Sequence, residues 1–162
     1  MKCPHCHQAE TKVIESRDVA NGESIRRRRE CLACHYRYTT YERLERPALT
    51  IIKKDGTRQL YDRDKLVVGL QKACEKTTIT GEQFEELVAR IEREIYDTSD
   101  GELRSAQIGE IIMNVLAEVN QIAYVRFASV YRHFTDIESF ERELSKIKHR
   151  QRASMPEQLK SA

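Results

Sequence analysis

At 162 residues the chain is long enough for one or two small domains and too short for a large enzyme with a deep, multi-layer cleft. With 33% charged and 40% hydrophobic residues, no window near the roughly 18 uninterrupted apolar residues of a membrane helix, and no apolar core in the amino-terminal MKCPHCHQAE, a globular, cytoplasmic protein is expected. The net charge is only +2, so any affinity for nucleic acid has to come from where the charge is placed.

The first segment is read as a metal-stapled ribbon. Cys3-Pro4-His5-Cys6 and Cys31-Leu32-Ala33-Cys34 are two C-x-x-C knuckles with 24 residues between them, and the remaining Cys74 stands alone. In a reducing compartment such pairs bind metal far more readily than they form disulfides. Two knuckles on adjacent hairpins supply four thiolates to one Zn²⁺, a closed tetrahedral shell with no position for a catalytic water. The metal is therefore expected to be structural, one ion per chain, although iron also accepts an all-thiolate set. A redox dithiol would need a βαβ context that is missing here.

Between and after the knuckles, Thr11 to Ser16, Ser24 to Glu30 and Tyr36 to Tyr41 read as strands, the first two joined at Asn21-Gly22. So few apolar residues could hardly bury a core, so metal binding is expected to supply much of the folding free energy. Basic residues crowd this segment, with Arg26, Arg27, Arg28 and Arg29 consecutive. Strand alternation sends Arg26 and Arg28 one way and Arg27 and Arg29 the other. Together with Arg17, Arg37 and the hydroxyls of Thr39, Thr40 and Tyr41, they can contact phosphate or read guanine in a major groove. Duplex DNA is the favoured ligand; single strands or RNA are the alternative, since the tyrosines could stack on bases. A solvated charged strand is the plain reading.

Glu45-Arg46-Pro47 marks a linker, and Asp55-Gly56 between Leu49 to Lys54 and Thr57 to Tyr61 predicts a hairpin. Asp62 or Asp64 can cap a helix that buries Leu66, Leu70, Ala73 and Cys74. Thr80-Gly81-Glu82-Gln83 matches a capping box for a helix with Phe84, Leu87, Val88, Ile91 and Ile95 on one side. After a loop from Asp97 to Gly101, Ser105 is expected to cap a helix burying Ile108, Ile111, Ile112, Val115, Leu116 and Val119. A fourth helix aligns Tyr124, Phe127, Ala128, Tyr131 and Phe134, a fifth Ile137, Phe140, Leu144 and Ile147, and Lys148 to Ala162 reads as a polar tail expected to fray. No P-loop, GxGxxG or nucleophile-base arrangement is evident, so no catalytic residues and no enzyme activity are expected. Lys53, Lys54, Arg58 and, at the next helix start, Lys65 can gather around a phosphate chain; a solvated hairpin is the alternative.

Taken together, C-P-H-C, Ser16-Arg17, I-R-R-R-R-E-C-L-A-C, R-Y-T-T-Y-E, K-K-D-G, D-R-D-K-L and A-Y-V-R-F-A-S-V-Y-R-H-F resemble the NrdR family, bacterial transcriptional repressors of ribonucleotide reductase genes. The resemblance runs in order from Met1 to about Phe140. It implies an α+β chain: a small β-rich zinc ribbon (1–46) that binds DNA, an ATP-cone (47–140) built of a β-hairpin plus a helical bundle, and a helical extension with a flexible tail (141–162). It also implies ATP or dATP as regulatory ligands, double-stranded promoter DNA as partner, no membrane, and a homo-oligomer whose state depends on the nucleotide. Carried over by position, Ile51, Lys53, Lys54, Gly56, Gln59, Asp62 and Lys65 become the nucleotide-contacting segment, with Gln59 and Asp62 where related cones often carry Glu and Asn. Ser105, Tyr124 and Tyr131 are further candidates, with helix capping or core packing as the alternative. His35 stands where the family often has Gly or Asn, which points to a loosely constrained position. Two rival classes remain: a cone detached from a reductase, for which the chain ends too soon, and a zinc-ribbon accessory protein without nucleotide control.

Overall fold

The computed structural model describes residues 1–154 other than 21, 133 and 135, with side chains as far as residue 145. The chain forms two units, Met1–Pro47 with Thr80–Arg90, and Ala48–Ile79 with Ile91–Ala162.

In the first unit, β1 (Thr11–Val19), β2 (Ser24–Cys31) and β3 (Arg37–Arg43) form an antiparallel sheet in the order β1-β2-β3. Each strand is longer or later than the sequence suggests, because ladder hydrogen bonds extend pairing into polar residues that carry no periodic signal. The register slips once, between Val13 and Glu15, leaving Ile14 as a bulge. Asn21 of the expected turn lies outside the described residues; Gly22 has φ 88°, the left-handed conformation that a tight hairpin demands. Among the described residues of 1–47, only Cys3, Val19, Ala20, Ser24, Glu30 and Cys31 are buried. None is an apolar side chain larger than valine, so hydrophobic burial alone does not hold this sheet.

In the second unit, β4 (Thr50–Ile52) and β5 (Arg58–Leu60) form the expected hairpin. Asp55 Oδ1 accepts from the backbone N–H and hydroxyl of Thr57 at 2.9 and 2.7 Å, and Gly56 turns with φ 83°. The segment from Asp97 to Gly101 does not simply lead into a helix: it is followed by a third strand, β6 (Glu102–Arg104), parallel to β4, giving the order β5-β4-β6. Three residues with one apolar side chain carry almost no strand signal, and β6 exists because Leu103 packs beside Ile51 in register and both are buried.

Helix α1 (Arg63–Cys74) is capped by Asp62, whose carboxylate accepts from the Asp64 and Lys65 amides. It buries Leu66, Leu70 and Ala73, whereas Cys74, expected in the core, is half-buried at the helix end. The capping box before α2 (Gly81–Thr98) closes in both directions between Thr80 and Gln83, and Leu87, Val88, Ile91 and Ile95 are buried. Tyr61 and Arg63 reach the buried carboxylate of Glu92 at 3.4 and 3.0 Å. Burial, then the Glu92 charge, pushes the Tyr61 hydroxyl far above its usual range.

Helix α3 (Ser105–Val119) is not capped by Ser105, which is its first residue; Arg104 holds the cap position and its N–H donates to the Gln107 side chain at 3.0 Å. Its buried stripe is Gly109, Ile112, Met113, Val115 and Leu116, while Ile108 and Ile111 are half-buried and Val119 is exposed. Gln107, Glu110, Asn114 and Glu118 form an exposed polar stripe along the opposite side; Ile111 flanks that stripe and Val119 is the last residue of the helix, so both are less covered than their apolar character suggests. Asn120 ends α3 and caps α4 (Gln121–Tyr131), accepting from Ala123 N–H at 3.0 Å. The expected alignment of Phe134 with α4 fails because that helix stops at Tyr131; Phe134 instead meets Phe140 edge-on at 5.3 Å. Helix α1 and helix α3 both pack on α4. A Cβ added to Gly109 would lie 2.0 Å from the Tyr131 ring, so glycine is what lets α4 approach α3 there.

Helix α5 (Ile137–Ser154) extends seven residues into the segment expected to fray, and 155–162 lie outside the described residues. Ile137 is exposed, and the side chain of Ile147 lies outside the described residues; among the described side chains of this helix the buried one is Glu143, which accepts from the Tyr124 hydroxyl and lies 3.4 Å from Arg132 Nε. The apolar pattern of this helix gives no sign of Glu143, because a charge is buried only when specific partners receive it.

Candidate metal centre and ligand-binding surfaces

The four knuckle cysteines lie together, their sulfur atoms all within 4.8 Å of one another, with Cys3 and Cys31 wholly buried. Cys3 and Cys34 Sγ are 3.7 Å apart, and Cys6 and Cys31 Sγ 3.5 Å. A zinc ion with four sulfurs at about 2.3 Å has tetrahedral edges of about 3.8 Å, so these thiols fit one zinc with little movement. In the free cluster the thiols are unequal. The Cys34 amide pulls the Cys31 thiol down to about 6, whereas burial and neighbouring thiols, outweighing the Tyr36 amide, push Cys34 up to about 12. A divalent cation removes that conflict by favouring the thiolate at every position.

The two knuckles share one backbone design. The N–H of His7 donates to Cys3 carbonyl at 2.9 Å, and that of His35 to Cys31 carbonyl at 3.1 Å. Both histidines have positive φ, 61° and 58°. The expectation of a loosely constrained His35 is thereby overturned: this is a left-handed position where a Cβ costs about 1 kcal/mol, the physical ground for Gly or Asn there. His35→Gly is expected to stabilise the zinc-loaded ribbon by about 0.5–1 kcal/mol, seen as a later ribbon transition in denaturant. An earlier transition would mean that the imidazole makes a contact worth more than the strain.

The arginine-rich strand β2 is the middle one. Its register sets Arg26 between Arg17 and Tyr41, Arg28 between Glu15 and Thr39, and Glu30 between Lys12 and Arg37. Arg27 stands between Ser16 and Thr40, and Arg29 between Val13 and Tyr38. Glu30 is buried beneath Arg37 at 2.8 Å and Lys12 at 3.0 Å, which hold its carboxyl down at about 2. Arg17 pairs with Glu15, Arg27 with Glu42, and Arg29 donates to Thr40 Oγ1 at 3.1 Å. Arg43 lies over the Tyr41 ring, 4.3 Å from its centroid, and pairs with Glu85 at 3.3 Å.

In the second unit Lys53, Lys54 and Gly56 occupy the exposed β4–β5 turn. Gln59 is half-buried on the same sheet face as buried Ile51 and Leu103. Lys65 is exposed in the first turn of α1, its Nζ 3.6 Å from Asp62 Oδ2. Ser105 was a distant candidate in sequence, but the parallel pairing of Ile52 with Arg104 makes Lys53 and Ser105 leave the sheet side by side. That juxtaposition depends on β6, which sequence reading missed. The hydroxyls of Tyr124 and Tyr131 are engaged internally, Tyr124 with Glu143 and Tyr131 with the Ala106 carbonyl at 2.7 Å.

Two family models match the chain: "Transcriptional repressor NrdR-like, N-terminal domain" over residues 1–42 and "ATP cone domain" over residues 49–137. Proteins named "Transcriptional repressor NrdR" are similar over nearly their whole length. That of Petrotoga mobilis is 52% identical over 92% of this chain and 99% of its own. That of Geobacillus kaustophilus is 51% identical over 91% and 96%, and that of Syntrophus aciditrophicus 52% over 91% and 93%. A four-thiol zinc ribbon followed by an ATP-cone, with this degree of identity across both, places the chain in the NrdR family of transcriptional repressors.

Proposed function

We propose that the protein is a nucleotide-gated repressor acting in the cytoplasm on promoters of ribonucleotide reductase genes, and not an enzyme. The observation that carries this reading is one chain joining a zinc ribbon with an arginine-rich central strand to an ATP-cone, with full-length relatives named as repressors. Double-stranded promoter DNA meets the ribbon through residues drawn from Arg17, Arg26, Arg27, Arg28, Arg29, Arg37, Thr39, Thr40 and Tyr41, dividing between phosphate and base contacts. ATP or dATP lies at the end of the small sheet. Lys53, Lys54 and Lys65 hold phosphates there, beside the turn glycine Gly56 and the amino terminus of α3 at Ser105. Ile51, Gln59 and Asp62 border the base and ribose, and Tyr124 and Tyr131 support the bundle by packing. The nucleotide changes self-assembly, so that ribbons are or are not correctly spaced on DNA. Such gating requires a free-energy difference between assemblies of about 1–3 kcal/mol.

Sizing the zinc-loaded protein with ATP, with dATP and with neither, alongside promoter binding in the same three states, tests this. Different assemblies with different promoter affinities are expected. Identical size and affinity in all three would leave a zinc-ribbon DNA binder without nucleotide control.

A further inference from the structure

The ribbon sheet has two chemically different faces, and the bulge at Ile14 creates the difference. Residues paired across the strands share a face, and successive residues alternate. Without the bulge, Lys12 and Arg17 would fall on opposite faces; with it, both join the face of Arg26 and Arg28. That face carries Lys12, Arg17, Arg26, Arg28, Arg37 and Arg43 against Glu15 and Glu30 alone. The other carries Arg27 and Arg29 against Asp18 and Glu42. Every side-chain pair within the sheet obeys this division: Arg17 with Glu15, and Lys12 and Arg37 with Glu30, on the first; Arg27 with Glu42, and Arg29 with Thr40, on the second.

From this we infer that duplex DNA is read by one face only, with Arg26 and Arg28 as the specificity-determining pair and Arg27 and Arg29 as sheet-bracing residues that do not touch it. The inference rests on the ribbon being the DNA-binding module and divides the arginine run within it. On the cationic face Arg26 and Arg28 belong to the central strand, and neither pairs with a carboxylate among the described residues. They stand two residues apart, about 7 Å, and a guanidinium from each can reach successive base edges or phosphates. Arg17 and Arg37 flank them on the outer strands, each already oriented by a carboxylate, with Thr39 and Tyr41 adding hydroxyls; these are positioned for the phosphate backbone on either side. Arg27 and Arg29 each direct a donor across the opposite face, to Glu42 and Thr40.

Single alanine variants at positions 26, 27, 28 and 29 of the full-length, zinc-loaded protein, titrated against a reductase promoter duplex over a series of salt concentrations, decide it. Zinc content of each variant reports whether the ribbon remains folded. Arg26→Ala and Arg28→Ala are expected to lose ten-fold or more in affinity and either flatten the salt dependence by about one ion or relax sequence preference. Arg27→Ala and Arg29→Ala are expected to stay within about three-fold of the parent with an unchanged salt slope. Equal losses at all four positions with zinc retained, or larger losses at 27 and 29, would overturn the one-face assignment. A parent protein that binds no promoter duplex in any nucleotide state would instead overturn the reading of the ribbon itself, and this inference with it.

Discussion

Cys31→Ser is expected to strip zinc from the protein, unfold residues 1–47 and abolish promoter binding while leaving the second unit folded. The asymmetry follows from what each unit buries. Among the described residues the ribbon has no buried apolar side chain larger than Val19, and its buried positions include Cys3 and Cys31 themselves. Zinc binding to such a cage contributes on the order of 10 kcal/mol or more, beyond what a domain of this size can otherwise muster. The second unit buries Leu70, Ile91, Ile95, Val115 and Leu116 completely and needs no metal. Cys31 is the informative position because it is wholly buried and its Sγ lies 3.5 Å from that of Cys6, so no other group can reach the place it leaves. Serine removes a soft thiolate and leaves three ligands around a buried cavity. Elemental analysis, helical circular dichroism and promoter titration read the three consequences separately. Full zinc content with normal promoter affinity in this variant would contradict the structural role of the cage.

What was legible in the sequence is what is encoded over a few residues. A C-x-x-C knuckle aims two thiols at one point whatever surrounds it, and the cluster forms as its spacing requires. Asp55-Gly56 and the box from Thr80 to Gln83 likewise specify their own hydrogen bonds, and both close as expected. What was not legible depends on partners far away in the chain. Strand β6 is held by β4, some fifty positions earlier, and Glu143 is buried only because Tyr124 and Arg132 receive it. The face of the arginine run was half legible. Alternation along β2 separates Arg26 and Arg28 from Arg27 and Arg29, but a bulge in the neighbouring strand decides which pair collects the remaining cations. His35 shows the same limit at one residue: its sequence says nothing of a φ of 58°, which the Cys31 carbonyl imposes by accepting its N–H.

The nucleotide site makes the second large expected effect: Lys53→Ala and Lys65→Ala should each weaken ATP and dATP binding roughly ten- to a hundred-fold. Losing one charge-assisted hydrogen bond to a phosphate costs about 1.5–3 kcal/mol, which gives that range. Neither substitution should harm the fold. Lys53 lies exposed in the turn, where its backbone N–H still donates to the Thr57 carbonyl at 2.8 Å. Lys65 is exposed on α1, and its 3.6 Å pairing with Asp62 is a surface contact of small worth. Asp62 keeps its cap bonds to the Asp64 and Lys65 amides, which the side-chain truncation does not touch. Because the ribbon does not depend on these lysines, Lys65→Ala should retain zinc and bind promoter DNA, yet lose the dependence of assembly and affinity on ATP versus dATP. The lysines also differ in what each would reveal. Lys53 leaves the sheet beside Ser105 at the start of α3, so its loss removes a cation next to a helix terminus that itself attracts phosphate, and some binding should survive. Lys65 has the Asp62 carboxylate beside it, so truncation there leaves an uncompensated negative charge near the phosphates, and the larger loss is expected at this position. Titration calorimetry on both variants measures this, and parent-like affinity in each would remove the lysine cradle from the mechanism.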